Sequence, residues 1–208
     1  MTVTKLLSLS KNRIRVYIDE EPAFILYPQD IRTYDVTEGE PLSEDIYAVI
    51  CKEVLLRRAK KKAMDILIRS DKTESDIREK LSRMEYPTHI IDSVIDFLYS
   101  YHYLDDKRFA DNYIQANSSS RSKVDMKRQL RKHGIGDDIT SDLFQEHGIE
   151  DTETLSYLMD KKLSGKPSPD PKELRRIVSY FMRRGFSFSD VERELRKRNI
   201  ELNLYDIR

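Results

Sequence analysis

Three stretches of the chain share one pattern of apolar and charged residues, and this pattern decides the fold. They read DIREKLSRMEY over residues 76–86, DMKRQLRKHGI over 125–135 and RIVSYFMRRGF over 176–186. They align without a gap, and they recur about every 50 residues, which is typical of an internal structural repeat. The sequence therefore predicts one supersecondary unit that occurs three times.

Within each stretch, two apolar positions four residues apart fall on one face of a helix. They are Ile77 and Leu81, Met126 and Leu130, and Ile177 and Phe181. A turn follows, with Gly134 and Gly185 in the second and third copies, where glycine accepts the left-handed conformation. The first copy has Glu85 at this position. Each stretch is therefore predicted to be a core helix that ends at a turn.

Further apolar residues at helical spacing lie before and after each of these helices, so each unit is predicted to contain three helices. The fold class is mainly α, with three tandem three-helix repeats that stack into a curved array. The predicted boundaries are 41–58 for a connecting helix that Ser43 caps, 59–105 for repeat 1, 106–152 for repeat 2, and 153–208 for repeat 3 with a C-terminal tail.

The N-terminal region, residues 1–40, has a different pattern. Between residues 12 and 27, two runs rich in Ile, Val, Tyr and Phe flank Asp19-Glu20-Glu21-Pro22. This pattern predicts a small N-terminal β-hairpin, with Pro22 confining the second strand to a sheet edge. Because two strands alone are marginally stable in water, the hairpin is expected to pack on the helices.

Composition narrows the class of protein. The chain has 38% apolar and 36% charged residues, a charged fraction that an extended repeat protein accommodates more easily than one compact core. Cys51 is the only cysteine, so no intrachain disulfide can form, and a reducing cytoplasm is expected. Its thiol is predicted to be buried. No segment approaches the roughly 20 apolar residues that span a bilayer, so no membrane partner is predicted.

Charge is segregated along the chain although the net charge is zero. Residues 121–133 are strongly basic and residues 137–160 are acidic, without Lys or Arg. The basic residues on the second helices of repeats 2 and 3 are the candidate residues for binding DNA or a protein partner: Lys127, Arg128, Arg131, Lys132, Arg175, Arg176, Arg183 and Arg184. Arginine pairs with phosphate or with carboxylates, so the sequence does not distinguish between these two kinds of anion.

Two other groups invite a functional interpretation but are assigned a structural one. The run Arg57, Arg58, Lys60, Lys61 and Lys62 is predicted to be a solvated helix face. Tyrosines beside basic residues can stack on bases, yet core packing is predicted for all four of Tyr99, Tyr101, Tyr103 and Tyr113.

Signals of catalysis are weak. The sequence has no glycine loop with a following lysine for phosphate binding, and its four histidines are not at zinc-ligand spacing. We therefore predict no catalytic residue, no metal and no cofactor, and a protein that is not an enzyme.

The string YLDDKRFA, residues 103–110, closely resembles the junction between the first and second repeats of the RecX family. Residues 127–135 and 183–187 are also similar to that family, and the resemblance covers roughly residues 40–200. The sequence departs from the family pattern at the serines around Arg121 and at Glu85, which takes the place of the turn glycine in the first repeat.

The resemblance implies a monomeric regulator that binds the RecA recombinase filament and the single-stranded DNA within it. It would damp filament assembly, ATP hydrolysis and strand exchange in DNA repair, recombination and the SOS response. Two alternatives remain open: a helical DNA-binding protein that acts without a recombinase, and a protein-binding scaffold with no role for DNA.

Overall fold

The N-terminal region forms a three-stranded antiparallel sheet in the computed structural model, which describes residues 1–164 and 169–202. The strands are β1 (Val3–Ser10), β2 (Arg13–Ile18) and β3 (Glu21–Leu26), in the order β1-β2-β3. The predicted hairpin corresponds to β2 and β3, with Pro22 in an edge strand. The prediction of two strands is wrong, because β1 also pairs with β2. The strand β1 was missed because its sequence lacks a clear apolar alternation, and most of its residues are exposed or only half-buried.

The sheet packs on a long helix. After the short helix α1 (Pro28–Thr33), Ser43 caps α2 (Glu44–Val49) by accepting a hydrogen bond from the Ile46 N–H, as predicted. The helix continues through a π-helical segment (Ile50–Leu56) into α3 (Arg57–Leu67), so the proposed boundary at residues 58 and 59 falls inside a continuous helix. Cys51 is buried as predicted, and burial raises the pKa of its thiol.

Three-helix repeats follow. Their helices are α3, α4 (Glu74–Ser82) and α5 (Thr88–Ser100); α6 (Asp106–Asn117), α7 (Lys123–Lys132) and α8 (Asp137–Glu146); and α9 (Asp151–Leu163), α10 (Pro171–Arg183) and α11 (Phe188–Arg196). All six residues of the predicted apolar pairs are at most 2% exposed, which confirms the core stripe. The chain divides into two units, Met1–Asp106 and Lys107–Arg208. The predicted tail beyond residue 202 lies outside the described residues.

The turn after each second helix adopts the predicted left-handed conformation. Gly134 and Gly185 have φ values of 79° and 83°, and Glu85 has 63°. A non-glycine residue pays a steric cost in this region. Glu85 also accepts two hydrogen bonds from the Arg15 guanidinium, at 2.5 and 2.6 Å, which tie the turn to β2.

In two places, an aspartate accepts a hydrogen bond from the first backbone N–H of the second helix of a repeat. The Asp106 carboxylate accepts a hydrogen bond from the Glu74 N–H at 3.0 Å, and Asp151 accepts one from the Lys123 N–H at 2.7 Å. Burial raises the pKa of both carboxyls. Asp106 belongs to the YLDDKRFA string and is the first residue of α6.

Candidate anion-binding site

A pocket lined by three arginines lies between the second and third repeats. It has a volume of about 300 Å³ and is lined by Asn117, Ser120, Arg121, Arg183 and Arg184. We call it the arginine pocket. It joins two predicted site residues of α10 and its turn, Arg183 and Arg184, to the loop before α7.

A close backbone contact holds these two elements together. The Ser122 N–H donates to the Arg184 carbonyl at 3.2 Å. Next to it, a Cβ atom on Gly185 would lie 2.5 Å from Ser122 Oγ and 2.9 Å from Asp125 Cβ. Both the left-handed backbone and this approach therefore require glycine at 185. As a result, the turn after α10 reaches the loop that carries Arg121.

Arg184 is fixed in the wall of the pocket. Its Nε donates to the Ser120 carbonyl at 3.0 Å, and its guanidinium lies 3.9 Å from the centroid of the Tyr180 ring. The side chain is half-buried. A cation held in this way loses little conformational freedom when an anion binds.

Arg121 is fixed from the other side. Its Nη1 lies 2.6 Å from Asp125 Oδ2, and its Nε donates to Asn117 Oδ1 at 3.2 Å. Asp125 is fully buried and also pairs with Arg128. Burial opposes ionisation of Asp125, but the hydrogen bonds from the two guanidinium groups outweigh it and hold its pKa below the ordinary value. Asp125 is therefore negatively charged at neutral pH, and its charge neutralises the positive charge of one of the two arginines.

The exposed face of α10 adds unpaired cations. Lys172, Arg176 and Arg183 recur at intervals of four and seven residues, which places them on one side of the helix. All three are exposed, and none forms an ion pair within the described part of the chain. We call them the α10 cationic stripe. Arg175 beside it is also exposed, so this surface offers several positive charges to an anion.

The predicted residues of α7 do not line the arginine pocket. Lys127 Nζ donates to Ser141 Oγ at 2.8 Å, and Arg131 forms a two-point ion pair with Asp137, with Nε to Oδ1 at 2.6 Å. Arg128 pairs with Asp125, while Lys132 is exposed and forms no ion pair among residues 1–164 and 169–202. Of these four predicted residues, Arg128 and Arg131 are therefore already engaged by carboxylates of the same chain.

Arg121 was not among the predicted site residues. Its serine-rich surroundings suggested an irregular loop, and its role depends on Arg184, which is 63 positions away in the sequence. The sequence does contain one local signal for Arg121. Asp125 follows it by four residues, a spacing at which two oppositely charged side chains can pair.

The tyrosine prediction is wrong for three of the four residues. Tyr99, Tyr101 and Tyr103 are 38%, 62% and 42% exposed, whereas Tyr113 is half-buried against the second-repeat core. Leu98 is the last buried residue of α5. Tyr99 lies on the exposed side of the final turn, and Tyr101 and Tyr103 come after the helix ends at Ser100.

The basic run on α3 is only in part a solvated face. Arg57, Lys61 and Lys62 are exposed as predicted. Arg58 is half-buried: it donates to both carboxylate oxygens of Asp30 at 2.6 and 2.8 Å and lies 4.2 Å from the Tyr27 ring centroid. Arg58 therefore joins α3 to α1.

Within the residues that the structure describes, no cluster of three or more His, Cys, Asp or Glu side chains could hold a metal ion. In the same residues, no helix is long and apolar enough to cross a bilayer.

Comparison with known proteins agrees with this architecture. A model of the first three-helix domain of RecX matches residues 59–98, and one of the third three-helix domain matches residues 149–195. The chain is 29% identical over 204 residues to the regulatory protein RecX of Clostridium acetobutylicum, covering 94% of this chain and 95% of the relative. It is 27% identical to the regulatory protein RecX of Clostridioides difficile, with 99% of both chains covered.

Solved structures share the fold. A crystal structure of regulatory protein RecX superposes with a TM-score of 0.59 at 21% identity, over 93% of this chain and 98% of that one. RecX from Lactobacillus salivarius gives a TM-score of 0.56 at 18% identity, over 69% and 96%.

The fold and the site define a helical-repeat protein with a small N-terminal sheet and a cationic surface on its third repeat. Over almost its whole length the chain is similar to regulatory proteins named RecX, and its first and third three-helix units match models of RecX domains.

Proposed function

We propose that this chain regulates the RecA recombinase by binding the filament that RecA forms on single-stranded DNA, and that it inhibits filament assembly, ATP hydrolysis and strand exchange. The observation that carries the proposal is the α10 cationic stripe beside the arginine pocket, in a chain that is similar to RecX regulatory proteins. The regulator acts as a monomer in the cytoplasm, without a cofactor and without enzymatic activity of its own.

The geometry of α10 suits an extended anionic partner. Lys172 and Arg183 are separated by about 16 Å along the helix axis, since an α-helix rises about 1.5 Å per residue. This distance spans several phosphate groups of a strand. Arg183 belongs to both the stripe and the pocket, so a backbone that follows α10 would reach the pocket. The pocket has room for one phosphate or carboxylate group.

The proposed division of labour differs between the two helices. Arg175, Arg176 and Arg183 of α10 form no ion pair in the described part of the chain, so an external anion gains their full attraction. On α7, Arg128 and Arg131 must first release Asp125 and Asp137, which reduces the net gain. We therefore assign the main contacts to Arg175, Arg176, Arg183 and Arg184, with Lys132 as an additional contact. Lys127, Arg128 and Arg131 take a lesser part.

Regulation then follows from binding alone. A ligand shifts an equilibrium toward the state that it binds more tightly. A chain that contacts adjacent RecA protomers and the DNA backbone would hinder the conformational cycling that accompanies ATP hydrolysis, or the addition of protomers at a filament end.

The test is the ATPase of a cognate RecA on single-stranded DNA, with this chain titrated from substoichiometric to equimolar amounts. We expect the rate to fall at substoichiometric dose. No change at any dose, with an active recombinase and a folded chain, would contradict the proposal.

A second candidate function is DNA binding without a recombinase, and the unpaired stripe on α10 favours it, because such cations also attract naked DNA. This function predicts tight binding to naked DNA with a steep salt dependence, and no further gain when RecA is present.

A further inference from the structure

An exposed aromatic cluster lies at the end of α5. The ring centroids of Phe97 and Tyr101 are 4.9 Å apart, and those of Phe97 and Tyr103 are 6.3 Å apart. Tyr101 and Tyr103 are nearly parallel, with an interplanar angle of 17° and centroids 6.1 Å apart. Phe97 is half-buried in the first-unit core, so it anchors two rings that face solvent.

A contribution to the stability of the fold does not explain why the rings of Tyr101 and Tyr103 are exposed together. Tyr99, their neighbour, has a structural role, because its hydroxyl donates to Glu74 Oε2 at 2.9 Å and so joins α5 to α4. The hydroxyls of Tyr101 and Tyr103 form no hydrogen bond among the residues that the structure describes. Single exposed apolar residues are ordinary, but a contiguous exposed group indicates a binding surface.

Cations adjoin the cluster. Lys60 Nζ lies 4.2 Å from the Phe97 ring centroid, and Arg57 and Lys61 are exposed within one turn of it on α3. Aromatic rings beside cations are the usual composition of single-strand-binding surfaces. Asp65 and Asp96 are exposed on the same two helices, so the local electrostatic attraction for phosphate is weak. Ring stacking must then supply most of the contact.

We propose that Tyr101 and Tyr103 form a stacking platform for an unpaired base of single-stranded DNA, with Phe97 anchoring the rings and Lys60 lying beside the sugar-phosphate backbone. The proposal rests on the proposed function for the source of the strand. It adds a base contact in the first repeat to the phosphate contacts assigned to the third. Stacking accepts any base, so the platform has no sequence preference.

The test measures binding of fluorescein-labelled oligo(dT) to the full chain by anisotropy, without recombinase. Replacing both residues, Tyr101→Ala with Tyr103→Ala, should weaken binding about 5- to 100-fold, the effect of losing one stacked base. The double variant with Phe at both positions should bind like the wild type. Tyr157→Ala is the matched control, because Tyr157 is 61% exposed and makes no ring contact among the described residues.

A second oligonucleotide isolates the base. An oligonucleotide of the same length with abasic sites should bind the wild type as weakly as the double-Ala variant binds oligo(dT). The slope of affinity against salt should be the same for wild type and variant, since no phosphate contact is lost. Unchanged oligo(dT) affinity in the double-Ala variant would overturn the platform. Unchanged oligo(dT) affinity together with weaker binding to DNA-free RecA would assign the rings to a protein interface.

The outcome is separable from that of the proposed function. A platform that binds oligo(dT) while the RecA ATPase stays unaffected would leave the stacking site standing and remove the regulation. If the double-Ala variant keeps its oligo(dT) affinity and still inhibits the RecA ATPase, the stacking site is removed and the proposed regulation stands.

Discussion

Gly185 lies so close to Ser122 that a Cβ atom at position 185 would come within 2.5 Å of Ser122 Oγ. The contact joins the end of α10 to the start of α7 and thereby forms the arginine pocket. Gly148 offers a comparison, because its φ is also positive, at 59°. A Cβ atom at this position would meet nothing within 4 Å among the described residues.

Replacement of Gly185 by Ala is predicted to destabilise the protein more than replacement of Gly148 by Ala. Each variant pays about 1–2 kcal/mol for a left-handed non-glycine residue. Gly185→Ala should lose a further 1–3 kcal/mol, approximately, because the crowded contact must open. Urea unfolding followed by circular dichroism measures both free energies. Equal losses in the two variants would show that the contact with Ser122 is not tight.

Asp125→Asn is predicted to lower stability at neutral pH by about 1.5–3 kcal/mol, because it weakens charged hydrogen bonds to Arg121 and Arg128. The pKa of Asp125 lies below its ordinary value of 3.8, so its contribution is fully present above that value. The contribution is lost as the pH falls through the lower pKa of the folded state. The difference between wild type and variant should therefore shrink in acid below about pH 4.

Measurement of unfolding free energies between neutral and strongly acidic pH tests this prediction. Asp142→Asn, which removes an exposed carboxylate on α8, serves as the control and should change stability little at any pH. A constant difference for Asp125→Asn across the range would contradict the ion-pair account.

Glu85→Ala is predicted to be less stable than Glu85→Gly. Both variants lose the ion pair with Arg15, but only Ala keeps the steric cost of φ at 63°. The two should differ by about 1 kcal/mol in thermal or urea unfolding, with Gly the more stable. If Ala equals Gly, the turn has relaxed out of the left-handed region.

Arg176→Ala with Arg183→Ala is predicted to weaken binding to a RecA filament on single-stranded DNA, with helical content unchanged. The slope of log affinity against log salt should fall by roughly 1 for each phosphate contact that is lost. Arg131→Ala is the matched control, since Arg131 already pairs with Asp137. If Arg131→Ala were as damaging as the α10 variant, the contacts would lie on α7 instead.

The repeats were predictable because their signal is local. Apolar residues four apart, such as Met126 and Leu130, identify a buried helix face within a single turn, and Gly134 marks its end. The strand β1 was not predictable from such a signal, because its place in the sheet depends on backbone pairing with β2 and its own sequence shows no clear apolar alternation.

The site was predictable only in part. Arg183 and Arg184 stood out as basic residues beside a core stripe, but their convergence with Arg121 depends on a contact between distant parts of the chain. The exposure of Tyr101 depends on where α5 ends, and helix ends are poorly marked in sequence. Ion pairs such as Arg131 with Asp137 decide which cations remain available, and charge counts along the chain do not reveal them.

The most direct test of the central claim is equilibrium binding of this chain to three partners at one salt concentration. They are a RecA filament on single-stranded DNA held by a non-hydrolysable ATP analogue, the same DNA alone, and DNA-free RecA. The account predicts that the filament binds more tightly than either component and that the α10 variant loses this preference. Equal affinity for the filament and for bare DNA would contradict it and leave a DNA-binding protein that acts without a recombinase.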